Sequence, residues 1–321
     1  MNKQRRKFLA EIVTIAGISA VDGFGLSRTS SASEPKPQQG KKEISRNLAD
    51  YPHITDVVRS KNVNTYFPLL VSACADPNMN YLANIPFLIE LEVCKIWKES
   101  AFEWDAISYA GAGGLQQIMD FTARGLGLVI ADSTELREFN SASAENKRLE
   151  KEISSKGQSI YTLVNTGSET LAQDTIDKIN DLRKEIGELS TKKELAYNRL
   201  REARSSYSGK IRSLSKDELL SFDARFVPEK AIPAGTKHIT DIILACKNYF
   251  GGPIEINVWR GLAAYNAGLQ STKNGYGMPF IRETILYTRD IVFNLSKMME
   301  LKYVYTTNDS SLIANTKNKF K

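Results

Sequence analysis

Residues 98–119, with the sequence KESAFEWDAISYAGAGGLQQIM, decide the fold and the chemistry expected of this chain. A helix with apolar spacing leads into this stretch and brings an acid, Glu99, to its C-terminal end, and a glycine-rich turn follows at 111–114. Ile96 and Leu88 precede Glu99 by three and eleven residues, so we expect its side chain to leave the helix beside the apolar face. Partial desolvation favours the neutral acid and raises the pKa. The position therefore predicts a carboxyl that can act as a general acid near neutral pH.

The composition excludes several classes of function. The chain has 321 residues and a formal net charge of +6, which suits one or two domains, and the basic excess is too dispersed to indicate nucleic-acid binding. Cys74, Cys94 and Cys246 lack the close spacing of a metal or redox motif, so we expect small buried side chains and no disulfide. The two histidines, His53 and His238, lie far apart. This disfavours a zinc site or a serine–histidine triad, and we expect no metal and no cofactor.

The first residues are typical of an export signal. Residues 1–33 have a basic start with Arg5 and Arg6, a mildly apolar run and several small residues, which resembles a twin-arginine signal peptide. The apolar run is shorter than the ~20 residues of a spanning helix, so we expect no stable membrane span. Residues 34–47 are rich in Pro, Gln and Lys and are typical of a linker. The interpretation places the protein in the periplasm or cell envelope.

The remaining sequence predicts a mainly α protein, because no segment shows the two-residue alternation of a strand. Apolar residues recur three or four apart in several segments, and we expect helices at about 66–75, 85–98, 239–249, 254–266 and 279–300. Pro86 is placed in the first turn of the second of these helices. Residues 301–321 are predicted to form a polar tail.

Residues 133–220 differ in character from the flanking segments 48–132 and 221–300, which we interpret as two parts of one domain. One charged helix begins after Ser133, and a second, over about 169–207, has the apolar spacing of a coiled coil. The turn residues between them predict an inserted antiparallel coiled-coil hairpin. A helix of ~38 residues reaches ~57 Å, so the hairpin must project. Two hypotheses stay open: a solvated structural arm, or a docking arm for an envelope protein partner.

Separated segments of the chain resemble the motifs of lytic transglycosylases and goose-type lysozymes. They are, in chain order, Glu99-Ser100-Ala101-Phe102 with Ala106, Ser108, Gly111-Ala112, Gly114-Leu115, Gln117, Ile118 and Met119; Pro228-Glu229 with Ala234-Gly235; Ala264-Tyr265-Asn266-Ala267-Gly268; and Glu283-Thr284 with Tyr287. The resemblance covers about 84–132 and 222–295 and leaves out the predicted hairpin. Gln116 and Asp120 depart from the pattern, which usually has methionine and proline there.

The resemblance implies a lysozyme-like helical catalytic domain that cleaves the β-1,4 bond between N-acetylmuramic acid and N-acetylglucosamine in peptidoglycan glycan strands. By that resemblance the site residues divide into an acid, cleft-lining groups and a group that holds the acid: Glu99 as the acid; Ser108, Gln117 and Met119 along the cleft, with Ser108 near an N-acetyl group; Tyr265 and Asn266 against sugar; Tyr287 on the Glu99 carboxyl. The glycines are expected to let the backbone pass close beneath a bound sugar chain.

The mechanism expected from the resemblance needs one carboxyl, whereas an ordinary glycosidase uses two. Glu103 follows Glu99 by four residues, but we expect the helix to end at 100–102 and do not assign Glu103 a role. In the family's route Glu99 protonates the leaving oxygen and then, as a base, helps the C6 hydroxyl of the muramic acid to close a 1,6-anhydro ring. Two alternatives remain: a goose-type muramidase that uses water, or a non-catalytic cell-wall-binding scaffold that acts through the hairpin.

Overall fold

A computed structural model of the chain describes residues 45–80, 84–165 and 172–307, without the side chains of residue 80 and of 303–307. The predicted signal peptide at 1–33, most of the linker at 34–47, the expected turn beyond residue 165 and the end of the tail lie outside the described residues. Their predictions therefore stay predictions.

The described part of the chain is built from helices. In chain order they are α1 (Pro52–Thr55), α2 (Val63–Ala75), α3 (Pro77–Asn80), α4 (Leu88–Ser100), α5 (Asp120–Gly125), α6 (Thr134–Asn165), α7 (Gln173–Ser213), α8 (Lys216–Phe222), α9 (Pro228–Phe250), α10 (Ile254–Ala267), α11 (Leu269–Asn274) and α12 (Arg282–Thr307), with short 3-10 turns at Leu48–Asp50 and Ala224–Phe226. No strand occurs within these described ranges, which contain only isolated β-bridges. The predicted mainly α fold is confirmed.

Packing divides the chain into two units. One joins the described residues up to Phe102 to those from Ile232 onward, and the other consists of the described residues within Glu103–Ala231. The domain boundaries predicted at 132 and 220 follow the change in sequence character and stay predictions.

In the first unit, α4 packs against α2 and α12, and α10 packs against α12. Its core consists of fully buried aliphatic side chains, among them Leu70, Leu91, Ile96, Ile243, Leu262 and Ile291. Gly261 shows how closely α9 and α10 approach, because a Cβ there would lie 2.3 Å from Cγ1 of Ile243. This packing brings residues of α9, α10 and α12 to the buried face of α4, where Glu99 lies.

The second unit contains the two long helices, α6 and α7, which run antiparallel and pack along each other. Lys156 pairs with Glu185, and Lys193 Nζ lies 3.3 Å from Glu150 Oε1, so ion pairs cross the seam at two levels. Buried residues along the seam include Leu149, Ile179, Leu189 and Leu200. A paired two-helix arm is thus present, and the coiled-coil geometry of its seam stays a prediction.

Several local predictions are corrected by the structure. Pro86 precedes α4 instead of occupying its first turn, and α12 begins at Arg282 instead of 279. The short helices α8 and α11 were not predicted, because six or seven residues contain too few turns to show an apolar period. The three cysteines are free and buried, as predicted.

None of the described helices is both long and apolar enough to cross a membrane.

Candidate active site

Glu99 lies in the last turn of α4, and the structure ends this helix abruptly behind it. Ala101 and Phe102 have φ of 53° and 66°, the left-handed region that is unfavourable for residues other than glycine. Contacts within the unit hold this turn: Ser60 Oγ donates to the Ala101 carbonyl at 3.1 Å, Asn62 Nδ2 donates to the Phe102 carbonyl at 3.4 Å, and Phe102 is fully buried. Strained backbone of this kind is concentrated at functional sites.

The Glu99 carboxyl is half-buried and hydrogen-bonded. Tyr287, a buried residue of α12, donates its hydroxyl to Glu99 Oε1 at 2.6 Å. Burial raises the pKa of Glu99 to about 7, against the opposing effects of the Tyr287 hydrogen bond and of Lys95 and Lys98. Its place at the C-terminal, negative end of a helix acts in the same direction as burial. At neutral pH the carboxyl can therefore both give and take a proton.

Tyr265 and Asn266, at the C-terminal end of α10, belong to the same unit as Glu99. Burial and the negative charge of Glu99 raise the pKa of Tyr265, so its phenol keeps its proton. Asn266 is exposed, and its Oδ1 accepts a hydrogen bond of 2.6 Å from Thr284 Oγ1. The Ala264–Gly268 segment is therefore tied directly to the segment that begins α12, and Asn266 presents its other side to solvent.

A buried ion pair, which sequence reasoning missed, lies on the same face of α4. Lys95 Nζ is 2.8 Å from Glu92 Oε1, and both side chains are 0% exposed. Thr236 Oγ1 donates to Glu92 Oε2 at 3.0 Å, and Lys95 Nζ lies 4.4 Å from the ring centroid of Tyr265. The signal was in the sequence, because positions 92, 95 and 99 follow helical spacing, but charged residues at such spacing are usually solvated.

The predicted cleft residues Ser108, Gln117 and Met119 lie in the second unit. The Ser108 hydroxyl accepts from the Ala112 N–H at 3.0 Å. Gln117 has φ of 46°, and its Nε2 donates to the carbonyls of Ala106 and Gly114 at 3.0 and 2.9 Å, so its amide closes its own loop. Met119 is 44% exposed. The sugar contacts expected of these three residues stay predictions.

The glycines of this loop have a structural reason that differs from the predicted one. A Cβ on Gly114, whose φ is +73°, would lie 2.0 Å from the Arg225 carbonyl oxygen, and a Cβ on Gly113 would lie 2.8 Å from the Phe226 ring. The absent side chains therefore make room for the protein's own chain. The two residues that depart from the family pattern also have defined places in the structure. Gln116 is fully buried, and Asp120 is the first residue of α5.

Arg225, which sequence reasoning also missed, fixes this loop from inside the second unit. Its side chain is 1% exposed and donates to the carbonyls of Gly111 and Ile118 at 2.8 and 3.1 Å. Its other donors reach both carboxylate oxygens of Asp223 and the Tyr207 hydroxyl. The sequence Asp223-Ala224-Arg225 does not indicate that Arg225 is buried, because the backbone carbonyls that Arg225 binds are distant in the sequence.

Within the described ranges, no group of three or more His, Cys, Asp or Glu side chains is arranged to hold a metal ion.

Comparison with known proteins identifies one domain. The family model of the transglycosylase SLT domain matches residues 92–162, less than a quarter of the chain. The matched segment includes Glu99 and the glycine-rich loop, and it is consistent with a lytic transglycosylase catalytic domain. It indicates a glycan-cleaving function on peptidoglycan, the polymer of the bacterial cell envelope. No curated protein and no solved structure matches the chain significantly.

Proposed function

We propose that the protein is a lytic transglycosylase that cleaves the β-1,4 bond between N-acetylmuramic acid and N-acetylglucosamine and leaves a 1,6-anhydro end on the muramic acid. The observation that carries this proposal is the Glu99 carboxyl: half-buried, oriented by Tyr287 at 2.6 Å, with a pKa raised by burial to about 7. A group that must act first as an acid and then as a base works best with a pKa near the working pH.

In the proposed first step the protonated carboxyl of Glu99 donates its proton to the glycosidic oxygen while the bond from that oxygen to C1 breaks. Because Tyr287 occupies Oε1, we assign the transferred proton to Oε2. In the second step the carboxylate accepts the proton of the muramic acid C6 hydroxyl, whose oxygen forms a bond to C1. The proton count balances, since Glu99 ends the cycle as it began and no water is consumed.

The surroundings of Glu99 support a route with one carboxyl. Glu92, the carboxylate whose charge raises the pKa of Glu99, is fully buried and paired with Lys95. It is therefore unsuited to act as a nucleophile or to activate water, the roles that a second carboxylate has in ordinary glycosidases. We assign the stabilisation of the electron-poor C1 to the acetamido group of the substrate.

Mass spectrometry of purified sacculi digested by the full chain tests the proposal. We expect muropeptides with 1,6-anhydro ends; reducing muramic ends would instead identify a muramidase. Glu99→Gln should lose activity by about 10²–10⁴-fold, the usual contribution of general acid–base catalysis. Glu103→Gln is the matched control and should digest sacculi as wild type does. If Glu99→Gln released sugar at the wild-type rate, both enzymatic hypotheses would fail and the scaffold hypothesis would remain.

Substrate contacts are proposed for five residues: Ser108, Gln117, Met119, Tyr265 and Asn266. The exposed amide of Asn266 is the best placed for a direct test, because Thr284 fixes its Oδ1. Asn266→Ala should raise KM for glycan strands more than it lowers kcat.

The two-helix arm is proposed as a docking surface for an envelope protein. Tyr161, Val164 and Leu195 leave large apolar side chains exposed on it. At the base of the arm, the buried side chains of Phe139 and Tyr207 stack on each other, so this part of the two helices belongs to the core of the second unit. A deletion should therefore remove residues 151–192 and connect Glu150 to Lys193, which face each other across the seam, by a short flexible linker, because packed helix axes lie about 8–10 Å apart. We expect digestion of purified sacculi to continue and localisation in cells to be lost; unchanged localisation would contradict docking.

Export is proposed as well, on the basis of the twin-arginine-like segment. N-terminal sequencing of the protein purified from cells tests it: a start beyond about residue 30 is expected, and a start at Met1 would refute it.

A further inference from the structure

The buried Glu92–Lys95 pair has no place in the proposed proton transfers, yet it lies on the same helix as Glu99, within the two turns that precede it. Both side chains are 0% exposed. Removing two charges from water costs several kcal/mol per ion, and buried pairs are often no more stabilising than apolar residues of similar size. Stability alone therefore does not explain why the chain has a buried ion pair here. The position of the pair relative to Glu99 suggests a role in the reaction.

Helix geometry places the two charges at different distances from Glu99. Lys95 and Glu92 precede Glu99 by four and seven residues on the same face of α4, about 6 and 10 Å along the helix axis. Lys95, the cation of the pair, is thus nearer to Glu99 than Glu92 is. Its ammonium is fixed by Glu92 at 2.8 Å and by the Gly235 carbonyl at 3.4 Å. These two contacts restrain the position of the ammonium.

The Lys95 ammonium also contacts Tyr265, which with Tyr287 is one of the two tyrosines of the site. Lys95 Nζ lies over the face of Tyr265, 4.4 Å from the ring centroid, a favourable arrangement for a cation and an aromatic ring. His238 packs against the Tyr265 ring at 5.3 Å between centroids. Lys95 therefore links the buried pair to the residue proposed to contact sugar.

We propose that Lys95 is a positioning residue for the reaction: it supplies a fixed positive charge behind the Glu99 carboxyl and seats the Tyr265 ring, while Glu92 and Thr236 hold the ammonium in place. The proposal rests on the function proposed above. Lys95 stabilises the carboxylate that forms once the glycosidic oxygen has taken its proton, and thereby limits the effect of burial on Glu99.

The other titratable groups around Glu99 and Lys95 agree with this assignment. On α4 itself Lys98 is a second cation, but it lies at the surface and pairs with Asp290 of α12 at 2.9 Å. Tyr287 of α12 and Tyr265 of α10 have pKa values raised by burial and by Glu99, so both stay neutral. Burial and the nearby Lys95 lower the pKa of His238 on α9 to about 4, so it is neutral near pH 7. Lys95 is the buried cation of this set.

Two variants of the full chain test the proposal. Lys95→Met removes the cation, and Glu92→Gln/Lys95→Met removes both charges, so that no buried charge is left unpaired if the single variant fails to fold. The readouts are the pH dependence of anhydro-muropeptide release and the ¹³C NMR titration of the Glu99 carboxyl, assigned with Glu99→Gln. We expect both midpoints to move upward, by about one unit in Lys95→Met and by less in the double variant, because the opposing charge of Glu92 is lost too.

The control is Lys247→Met, which removes an exposed lysine of α9 and should leave both midpoints unchanged. A merely structural pair would lower the denaturation midpoint in the Lys95 variants without moving the Glu99 titration; that result would overturn the proposal. If the wild-type protein released no sugar, the proposed function would fail, and the carboxyl titration would still decide the role of Lys95.

Discussion

The two packed units each contain a fully buried pair of a cation and a carboxylate, and the two pairs differ in how the cation uses its donors. In the second unit, Arg225 binds Asp223, two loop carbonyls and the Tyr207 hydroxyl. In the first unit, Lys95 binds Glu92 at 2.8 Å and the Gly235 carbonyl at a longer 3.4 Å. The planar arginine has its hydrogen bonds spread over several groups, whereas the lysine acts mainly as a point charge.

This difference separates two uses of a buried charge. Arg225 binds backbone groups that are more than 100 residues away in the sequence, so its loss affects how the loop is held. Lys95 lies one helical turn from the proposed acid, so its loss affects how that acid titrates. Loss of either cation leaves a buried carboxylate unpaired and should lower stability, but only the loss of Lys95 should also move the titration of Glu99.

The largest expected effect is at the structural pair. Arg225→Met leaves Asp223 as an uncompensated buried charge and should lower the free energy of unfolding by about 3–5 kcal/mol, measured by urea denaturation. Arg137→Met, at an exposed ion pair with Asp132, is the matched control and should cost less than about 1 kcal/mol. If Arg225→Met kept the wild-type unfolding midpoint, the contrast between the two pairs would be lost.

The next effect is at the hydroxyl that orients the acid. Tyr287→Phe removes the 2.6 Å hydrogen bond to Glu99 and should lower kcat about tenfold, corresponding to ~1.4 kcal/mol. The bond favours the carboxylate, so its loss raises the pKa of Glu99 and moves the alkaline limb of the rate profile to higher pH. Tyr249→Phe, which changes an exposed tyrosine of the same unit, should change neither quantity. An unshifted limb in Tyr287→Phe would argue against the orienting bond.

A smaller effect is expected on stability, because ionisation of the half-buried Glu99 carboxyl destabilises the folded protein. Burial raises the pKa of Glu99 from its ordinary value of 4.5 to about 7 in the folded protein, so ionisation opposes folding as pH rises from about 4.5 to 7. Glu99→Gln should therefore be more stable than wild type above pH 7, by about 1 kcal/mol for a half-buried group. Below about pH 4 the two proteins should unfold at the same urea concentration. If the difference in stability between the two proteins did not change with pH, burial would not be raising the pKa of Glu99.

The smallest effect is at the surface cation next to the acid. Lys98→Met removes a charge that lowers the pKa of Glu99 but that is solvated and paired with Asp290. We expect the Glu99 titration to move upward by less than half a unit, because solvent screens exposed charges. A shift in Lys98→Met as large as that in Lys95→Met would remove the reason for assigning a special role to the buried lysine.

Much of the fold and part of the site could be predicted from the sequence. The apolar spacing located the main helices, and the position of Glu99 beside the apolar face of α4 predicted its partial burial. The pairing of Tyr287 with Glu99 came from the resemblance, and the contact is present in the structure at 2.6 Å. The catalytic and binding roles themselves stay proposals.

The parts that could not be predicted depend on contacts between residues distant in sequence. Lys95 is buried because Gly235 and Tyr265, from α9 and α10, surround it, and spacing along α4 alone cannot show that. Gln117 donates its side-chain amide to the carbonyls of Ala106 and Gly114 within its own loop, a contact that depends on the folded shape of the loop. The steric reason for Gly114, the approach of the Arg225 carbonyl oxygen, could not be predicted because Arg225 is distant in the sequence.

The left-handed turn at Ala101 and Phe102 has a consequence for anyone who wishes to make this protein more heat-resistant. Glycine adopts such angles freely, so Ala101→Gly is the substitution that a search for thermal stability would select first. The same change would loosen the backbone two residues after Glu99, at the turn that ends the helix carrying this carboxyl. We therefore expect Ala101→Gly to raise thermal stability and to lower the activity proposed for Glu99, so stabilised variants should be sought elsewhere in the chain.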